Sequence, residues 1–154
     1  MRSRRTFWEG LDSTPACRNI GRPRLSGDME PTLTPKLAPY IVAREAQALI
    51  EFVERAIGGK LSFKEVGPAG RLVHAEVKIE DGLVMISEAP QGRNPFPAML
   101  HLYVPDATAA HQRALKAGAT EVHPPADAPD GYRRGGVRDR WGNEWWFSSP
   151  SEKT

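Results

Sequence analysis

The hydrophobic pattern of the first half of the chain changes its period twice. An apolar and partly β-branched run, Leu37–Ala43, is typical of a strand, and apolar residues then recur at helical spacing until Gly58 and Gly59. Three further runs of strand length follow, separated by turn residues. These runs are Leu61–Val66, Leu72–Ile79 and Leu83–Ser87. The pattern therefore predicts one β-α-β-β-β module over residues 37–88.

The same order of patterns returns after a proline-containing connector at residues 90–97. Met99–Val104 predicts a strand, Asp106 is placed to cap a helix over residues 107–117, and Gly118 ends that helix. A short strand over residues 119–123, a long loop and a final hairpin follow. Glycines and strand residues recur about 60 residues apart in the two halves, which indicates a duplication. A second β-α-β-β-β module is therefore predicted over residues 98–149.

Length and composition restrict the class of protein. The chain has 154 residues, of which 40% are hydrophobic and 26% charged, and this suits a single soluble domain. No apolar run reaches the roughly 20 residues of a membrane helix, so no membrane partner is expected. Cys17 is the single cysteine and cannot form an internal disulfide, which favours a reducing, cytoplasmic location.

Charge separates the first 28 residues from the rest. They carry six arginines and three acidic residues, a net +3, which leaves the remaining chain at −1 because the total is +2. They also lack hydrophobic periodicity. We therefore expect a disordered arginine-rich tail over residues 1–28 and a folded domain over residues 29–154. Since the domain itself is not basic, no nucleic-acid partner is expected.

Three segments resemble the glyoxalase / bleomycin-resistance branch of the vicinal oxygen chelate superfamily, and especially its PhnB-like members. They are VHAEVKIEDGLVMI, LHLYVPDATAAHQRALKAGATEVHPP and VRDRWGNEWWF, and the similarity spans about residues 34–149. The resemblance implies an α+β fold in which paired βαβββ modules form an eight-stranded curled sheet around a cleft. It also implies a homodimer.

The resemblance further implies a set of metal-ligand positions. Metal-dependent members place a His or Gln on the first strand of each module and a Glu on the last strand. The matching positions here hold Leu37, Met99, Ile86 and Trp146. None of these side chains can replace imidazole or carboxylate around a divalent metal, so no metal and no other cofactor is expected.

Strand alternation sorts the side chains into two faces. Met99, His101 and Tyr103 share one face of their strand, and Glu144 shares a face with Trp146; both groups are expected to line the cleft. Trp145 and Phe147 are expected to face the helix side. In the first module, the side chains expected to face the helix are those of Val73, Ala75, Val77 and Ile79. Those expected to face the cleft are His74 and Glu76.

Several of these residues are candidates for chemistry. His74 and Glu76 could form a general base with its partner, or an ordinary cross-strand hydrogen bond. His101 could bind a ligand or be a satisfied interior histidine. Trp146 offers a flat, rigid surface for a ligand. Arg133 could neutralise an acidic group on a ligand, or be solvated. His111 and His123 have no recognisable partners and are expected at the surface.

The sequence therefore predicts a metal-independent protein that binds a small molecule, for example to sequester an aromatic or drug-like ligand. The alternative is a lyase, isomerase or dioxygenase with a non-standard metal set drawn from His74, His101, Glu76 and Glu144, or with a metal-free acid/base site. A third interpretation is a degenerate family member that acts through protein contacts. The sequence has no phosphate-binding loop, no G-x-S-x-G motif and no Cys-His pair in the domain, so nucleophilic catalysis has no candidate.

Overall fold

The computed structural model describes residues 37–151. The described residues belong to one compact unit, residues 35–154, which contains both predicted modules. The predicted tail and the start of the domain at residue 29 lie outside the described residues.

The first half folds as the predicted β-α-β-β-β module. Its helix α1 continues into a single π-helical turn, Val53–Ile57, and a short 3₁₀ turn precedes the third strand. The elements are β1 Tyr40–Ala43, α1 Ala46–Phe52, β2 Lys60–Val66, β3 Leu72–Ile79 and β4 Gly82–Glu88. Gly58, at a φ of 84°, ends the helical segment, as the glycine pair predicts.

The second half repeats this order. Its elements are β5 Met99–Tyr103, α2 Ala107–Lys116, β6 Thr120–Asp127, β7 Tyr132–Arg138 and β8 Glu144–Pro150. β6 is longer than predicted, because it continues through Pro124 and Pro125 instead of ending before them. Proline is tolerated there because β6 is the last strand of its sheet, and its register shifts between His123 and Ala126.

Each module forms one four-stranded sheet, and the two sheets have the same topology. The first sheet has the order β1-β4-β3-β2 and the second β5-β8-β7-β6, with the first and last strands of each module parallel. The α+β class with paired βαβββ modules is confirmed. The eight strands form two separate sheets that do not close into one barrel.

One hydrophobic core lies between the helices and the inner faces of both sheets. It includes Ile50 and Ile86 from the first module and Trp145 and Phe147 from the second, all fully buried. The Nε of Arg113 on α2 donates to the carbonyl of Ala56 at 2.9 Å and ties the helical layer together. Neither helix of the described region is long and apolar enough to cross a membrane.

One predicted core position is wrong. Val73 is 46% exposed, whereas its neighbour Leu72 is buried. The pairing of β2 with β3 shifts register between Glu65 and Val66, which lie opposite this part of β3. Such an irregularity changes which side chain faces inward. Beyond it, Ala75, Val77 and Ile79 face the core as alternation predicts.

The two helices begin in different ways. At α2, Asp106 is the N-cap, as predicted, and its Oδ1 accepts a hydrogen bond from the Ala109 N–H at 2.9 Å. At α1 the N-cap Glu45 has a left-handed φ of 54° and caps nothing with its own side chain. The carboxylate of Glu88, at the end of β4, accepts from the N–H groups of Glu45 and Ala46 instead, at 3.0 and 2.8 Å.

Candidate functional site

The open face of the second sheet, which points away from the helices, carries most of the side chains predicted to touch a ligand. β5 and β8 are adjacent and parallel, so that Met99 lies opposite Glu144 and His101 opposite Trp146. Trp145, which lies between Glu144 and Trp146 in sequence, is fully buried in the core. Since successive strand residues point to opposite faces, Trp146 lies on the open face, which is the predicted strand phase.

The indole of Trp146 lies against the backbone of Gly136 on β7. A Cβ atom at position 136 would come within 2.9 Å of two ring carbons of Trp146, a distance that real side chains do not adopt. The indole Nε1 donates to Oε2 of Glu144 at 3.2 Å, and the ring of His123 lies 6.0 Å away. The ring is therefore held in one orientation while remaining partly exposed.

Glu144 is an ionised hydrogen-bond acceptor on this face. Nη2 of Arg138 donates to its Oε1 at 2.6 Å, and Trp146 donates to its other oxygen. The Arg138 hydrogen bond first, and the Trp146 hydrogen bond second, hold the pKa of Glu144 below its ordinary value. Glu144 is thus occupied in fixing Trp146 and is unsuited to act as a general acid.

A row of rings continues from His101 along the same face. His101 Nε2 lies 2.8 Å from Oγ of the buried Ser148, and its ring is 5.2 Å from that of Tyr103. Tyr103 and Tyr132 meet edge to face at 5.8 Å, and the guanidinium of Arg134 lies 5.4 Å from the Tyr132 ring centre. We call the four rings of His101, Tyr103, Tyr132 and Trp146 the aromatic row.

Two adjoining cavities lie beside β5, where the β3–β4 turn of the first module approaches it. The larger has a volume of about 540 Å³ and the smaller about 460 Å³, and both are lined by Glu80 and Tyr103. The larger cavity is mostly apolar, with Ile79, Leu83 and Leu100 among its walls. Volumes of this size match those of pockets for small organic molecules.

His74 and Glu76 lie together on the open face of the first sheet. Nε2 of His74 is 3.6 Å from Oε1 of Glu76, and Nδ1 is 3.4 Å from the hydroxyl of Tyr40. The ring of Phe63 lies 6.0 Å from that of His74. His74 and Glu76 are neighbours, but no hydrogen bond joins them, and His74 is hydrogen-bonded to Tyr40 instead. The pair lies on a different sheet from the aromatic row.

Arg133 is not part of the aromatic row. Its Nε donates to Oγ1 of Thr108 on α2 at 3.2 Å, and its Nη1 pairs with Asp127 at 3.1 Å. Arg133 therefore points to the helix side of the sheet. The arginines on the open face are Arg134 and Arg138. They lie an odd number of residues from Arg133, so alternation along β7 places them on the face opposite to it.

The expectation for two other histidines needs correction. His111, expected at the surface, is buried, because the face of α2 that carries it packs against β7 near Gly135. Its Nε2 lies 3.5 Å from Glu121 Oε2 without forming a hydrogen bond. His123 is exposed, as expected, but it does have a neighbour, the ring of Trp146.

A sequence model of the Glyoxalase/Bleomycin resistance protein/Dioxygenase superfamily matches residues 36–147. The match covers nearly all of both modules. The chain belongs to this superfamily.

The chain is similar to a sequence relative and to solved structures, and the solved structures share its fold. An uncharacterized protein of Mycobacterium tuberculosis is 33% identical over 144 residues, covering 85% of each chain. TioX from Micromonospora sp. ML1 has a TM-score of 0.65 at 22% identity, covering 75% of this chain and 98% of TioX. TnmS3, an antibiotic binding protein from Streptomyces sp. CB03234, has a TM-score of 0.60 at 20% identity, covering 74% and 93%.

The metal site of the metal-dependent superfamily members does not fit the residues present here. Met99 and Trp146 lie on the open face of the second sheet, but Ile86 is fully buried in the core and Leu37 precedes β1. The ligand position counted as Ile86 therefore falls on the core face of β4. Its neighbours Met85 and Ser87 lie on the opposite face, where Ser87 is itself buried, and neither side chain replaces a glutamate. Within residues 37–151 no three His, Cys, Asp or Glu side chains are grouped to hold a metal.

The alternative metal set is also dispersed. His74 and Glu76 belong to β3 in the first sheet, whereas His101 and Glu144 belong to β5 and β8 in the second. Glu144 is already paired with Arg138, and His101 with Ser148. Within residues 37–151 the four members of this alternative set therefore do not converge on one metal position.

Sequence reasoning missed several residues of this site, among them Gly136, Glu80 and Tyr132. Gly136 is not among the predicted site residues, although the Gly135-Gly136 pair inside a strand is a recognisable signal of close approach to the backbone. Glu80 belongs to a predicted turn, and its place beside β5 depends on how the modules pack. No local sequence pattern carries that information.

Proposed function

We propose that this protein binds and sequesters an aromatic or drug-like small molecule without the help of a metal. The observation that carries the proposal is Trp146, fixed against Gly136 and hydrogen-bonded to Glu144 on a partly exposed sheet face. A rigid indole provides a large contact area for a flat ligand at little entropic cost. Met99, His101 and Tyr103 extend that contact toward the larger cavity, which they also line.

TnmS3 shows that this fold can serve to bind a small molecule. That protein is an antibiotic binding protein with the same fold. At 20% identity the likeness extends to the fold alone, so the ligand class of this chain rests on its own residues. Those residues are aromatic and apolar, with their carboxylate and guanidinium groups mostly paired to each other.

A second candidate function has one observation in its favour. His74 has a carboxylate on one ring nitrogen and a phenol near the other, an arrangement that a metal-free acid/base catalyst of the lyase or isomerase type would use. Phe63 and Tyr40 would then contact the substrate. Loss of turnover in a His74→Gln variant that still binds ligand would favour this function.

We further propose a cytoplasmic homodimer of the PhnB-like branch. Large apolar side chains are unusually exposed in the single chain, among them Leu37 at 87% and Phe96 at 78%. Monomeric proteins rarely expose extended apolar patches, and a second copy would bury part of this surface.

Binding can be tested with Trp146→Ala and a planar fluorescent probe, anthracenemethanol. We expect the variant to lose about 1 to 3 kcal/mol of binding free energy, measured by titration calorimetry, because a buried aromatic contact is removed. Trp146→Phe should keep most of the affinity. Equal affinity for the parent and Trp146→Ala would contradict the proposal, and so would the absence of binding to either.

Trp145→Ala is the matched control for stability. Its side chain fills the core, so truncation should cost about 3 to 5 kcal/mol of unfolding free energy. Trp146→Ala should cost less, since that ring is partly exposed. Urea unfolding of the two variants separates loss of the binding surface from loss of the fold.

A further inference from the structure

The charged side chains that line the two cavities are of one sign. Among the described residues that line them, the charged side chains are Glu80 in both cavities and Asp81 in the larger one, and no lysine or arginine is present. The remaining polar side chains are His101, Tyr103, Tyr132 and Ser148. An apolar cavity with acids at its margin is complementary to an apolar molecule that carries a positive charge.

The two carboxylates have no partner among the described residues. Neither Glu80 nor Asp81 forms a hydrogen bond or an ion pair with another side chain in residues 37–151. The acids elsewhere on this side of the molecule differ, since Asp130 is paired with Arg134 and Glu144 with Arg138. The negative charge at the cavities is therefore available to a ligand.

Aromatic rings adjoin the same acids. Tyr103 lines both cavities together with Glu80, and its side chain is 67% exposed. Tyr132, which lines the smaller cavity, already has the Arg134 guanidinium 5.4 Å from its ring centre. Electron-rich ring faces attract cations, and the Tyr132 ring already has such a contact with Arg134. Tyr103 offers a comparable face to a cation that comes from outside.

We propose that the ligand of this protein is an organic cation with an apolar, planar body. The body would lie along Trp146 and its cross-strand neighbour His101 and reach into the larger cavity, which His101 lines. The cationic centre would lie between the Glu80 carboxylate and the Tyr103 ring, with Asp81 adding to the negative field. This inference rests on the proposed small-molecule function and adds the charge class of the ligand to it.

Three probes with one ring system test the sign of the charge. Anthracenylmethyl-trimethylammonium is the cation, anthracenemethanol the neutral compound and anthracenecarboxylate the anion, and each can be followed by fluorescence titration. We expect the cation to bind about three- to tenfold more tightly than the neutral probe, because the acids are exposed and partly screened. The anion should bind most weakly, and added salt should reduce the difference.

Two variants assign the preference to these acids. Glu80→Gln, alone and combined with Asp81→Asn, should reduce the affinity for the cation far more than the affinity for anthracenemethanol, and so remove most of the cation preference. Glu51→Gln, on the exposed side of α1 and away from the cavities, removes the same charge and should change neither affinity. Tyr103→Leu should also weaken the cation more than the neutral probe.

The outcomes separate this inference from the proposed function. If anthracenemethanol binds through Trp146 but the cation binds no better, the ligand class is wrong and the binding function stands. A cation preference that survives the double variant also overturns the inference. If none of the three probes binds, both the inference and the function fail.

Discussion

The orientation of the Trp146 side chain depends on the lack of a Cβ atom at Gly136. The strand phase that separates Trp146 from Trp145 could be predicted from the sequence, because alternation along a strand is local. The contact with Gly136 could not, since it depends on the register of β7 against β8. Register is set by packing of the whole sheet and carries no local pattern.

Gly136→Ala should reduce binding of planar ligands without unfolding the protein. The new Cβ would lie 2.9 Å from the indole, so the Trp146 ring must tilt away from the strand. We expect a loss of affinity for anthracenemethanol comparable to that of Trp146→Ala, about 1 to 3 kcal/mol. The measurement is titration calorimetry with thermal unfolding in parallel. Unchanged affinity would show that the flat orientation has no role in binding.

The Arg138–Glu144 pair predicts a pH dependence of stability. The folded state lowers the pKa of Glu144, so this group stabilises the fold fully above its ordinary pKa and loses that contribution as pH falls through the lower folded-state pKa. Glu144→Gln should therefore be less stable than the parent at neutral pH and approach it in acid. Urea unfolding across this range measures the difference; a gap that widens toward acid would contradict the assignment.

At the scale of elements, the order of strands and helices follows from periodicity, but edges and irregularities do not. β6 extends through two prolines because it has only one neighbour, and Val73 faces outward because β3 is irregular there. Both features depend on how the strand pairs with its neighbours and not on the identity of the residue itself. Helix starts show the same contrast, since Asp106 is a local cap and Glu88 is a distant one.

The start of α1 should depend on Glu88. Its carboxylate accepts two backbone N–H groups, so Glu88→Ala leaves both without that partner. We expect a loss of about 1 to 2 kcal/mol in unfolding free energy. Asp106→Ala at the start of α2 is the matched comparison, with a loss of about 1 kcal/mol. A Glu88→Ala protein as stable as the parent in urea would show that α1 needs no cap.

At the scale of the whole molecule, the duplication explains why the fold class could be predicted. Two halves with the same order of elements imply two similar sheets, and these are present. Their relative placement could not be predicted, because it depends on long-range contacts such as the hydrogen bond from the Trp141 indole to the carbonyl of Arg44 at 2.7 Å. The cavities beside β5 are a product of that placement.

The proposed dimer is a prediction at the same scale. Light scattering coupled to size exclusion should give twice the chain mass at micromolar concentration. Phe96→Asp, at a side chain that is largely exposed in the single chain, should shift the equilibrium toward the monomer without loss of helicity. A monomeric parent protein would contradict the proposed dimer. An unchanged mass of the Phe96→Asp variant would show that Phe96 does not lie in a dimer interface.

The distant cap on α1 also has a consequence for the order of events during folding. α2 carries its own start signal three residues away, whereas α1 depends on a carboxylate 43 residues further along the chain. Closing a long loop costs more entropy than closing a short one, and local contacts therefore form earlier. We expect α2 to belong to the early nucleus and α1 to become fixed only when β4 docks. In kinetic terms, Asp106→Ala should slow refolding, and Glu88→Ala should chiefly accelerate unfolding.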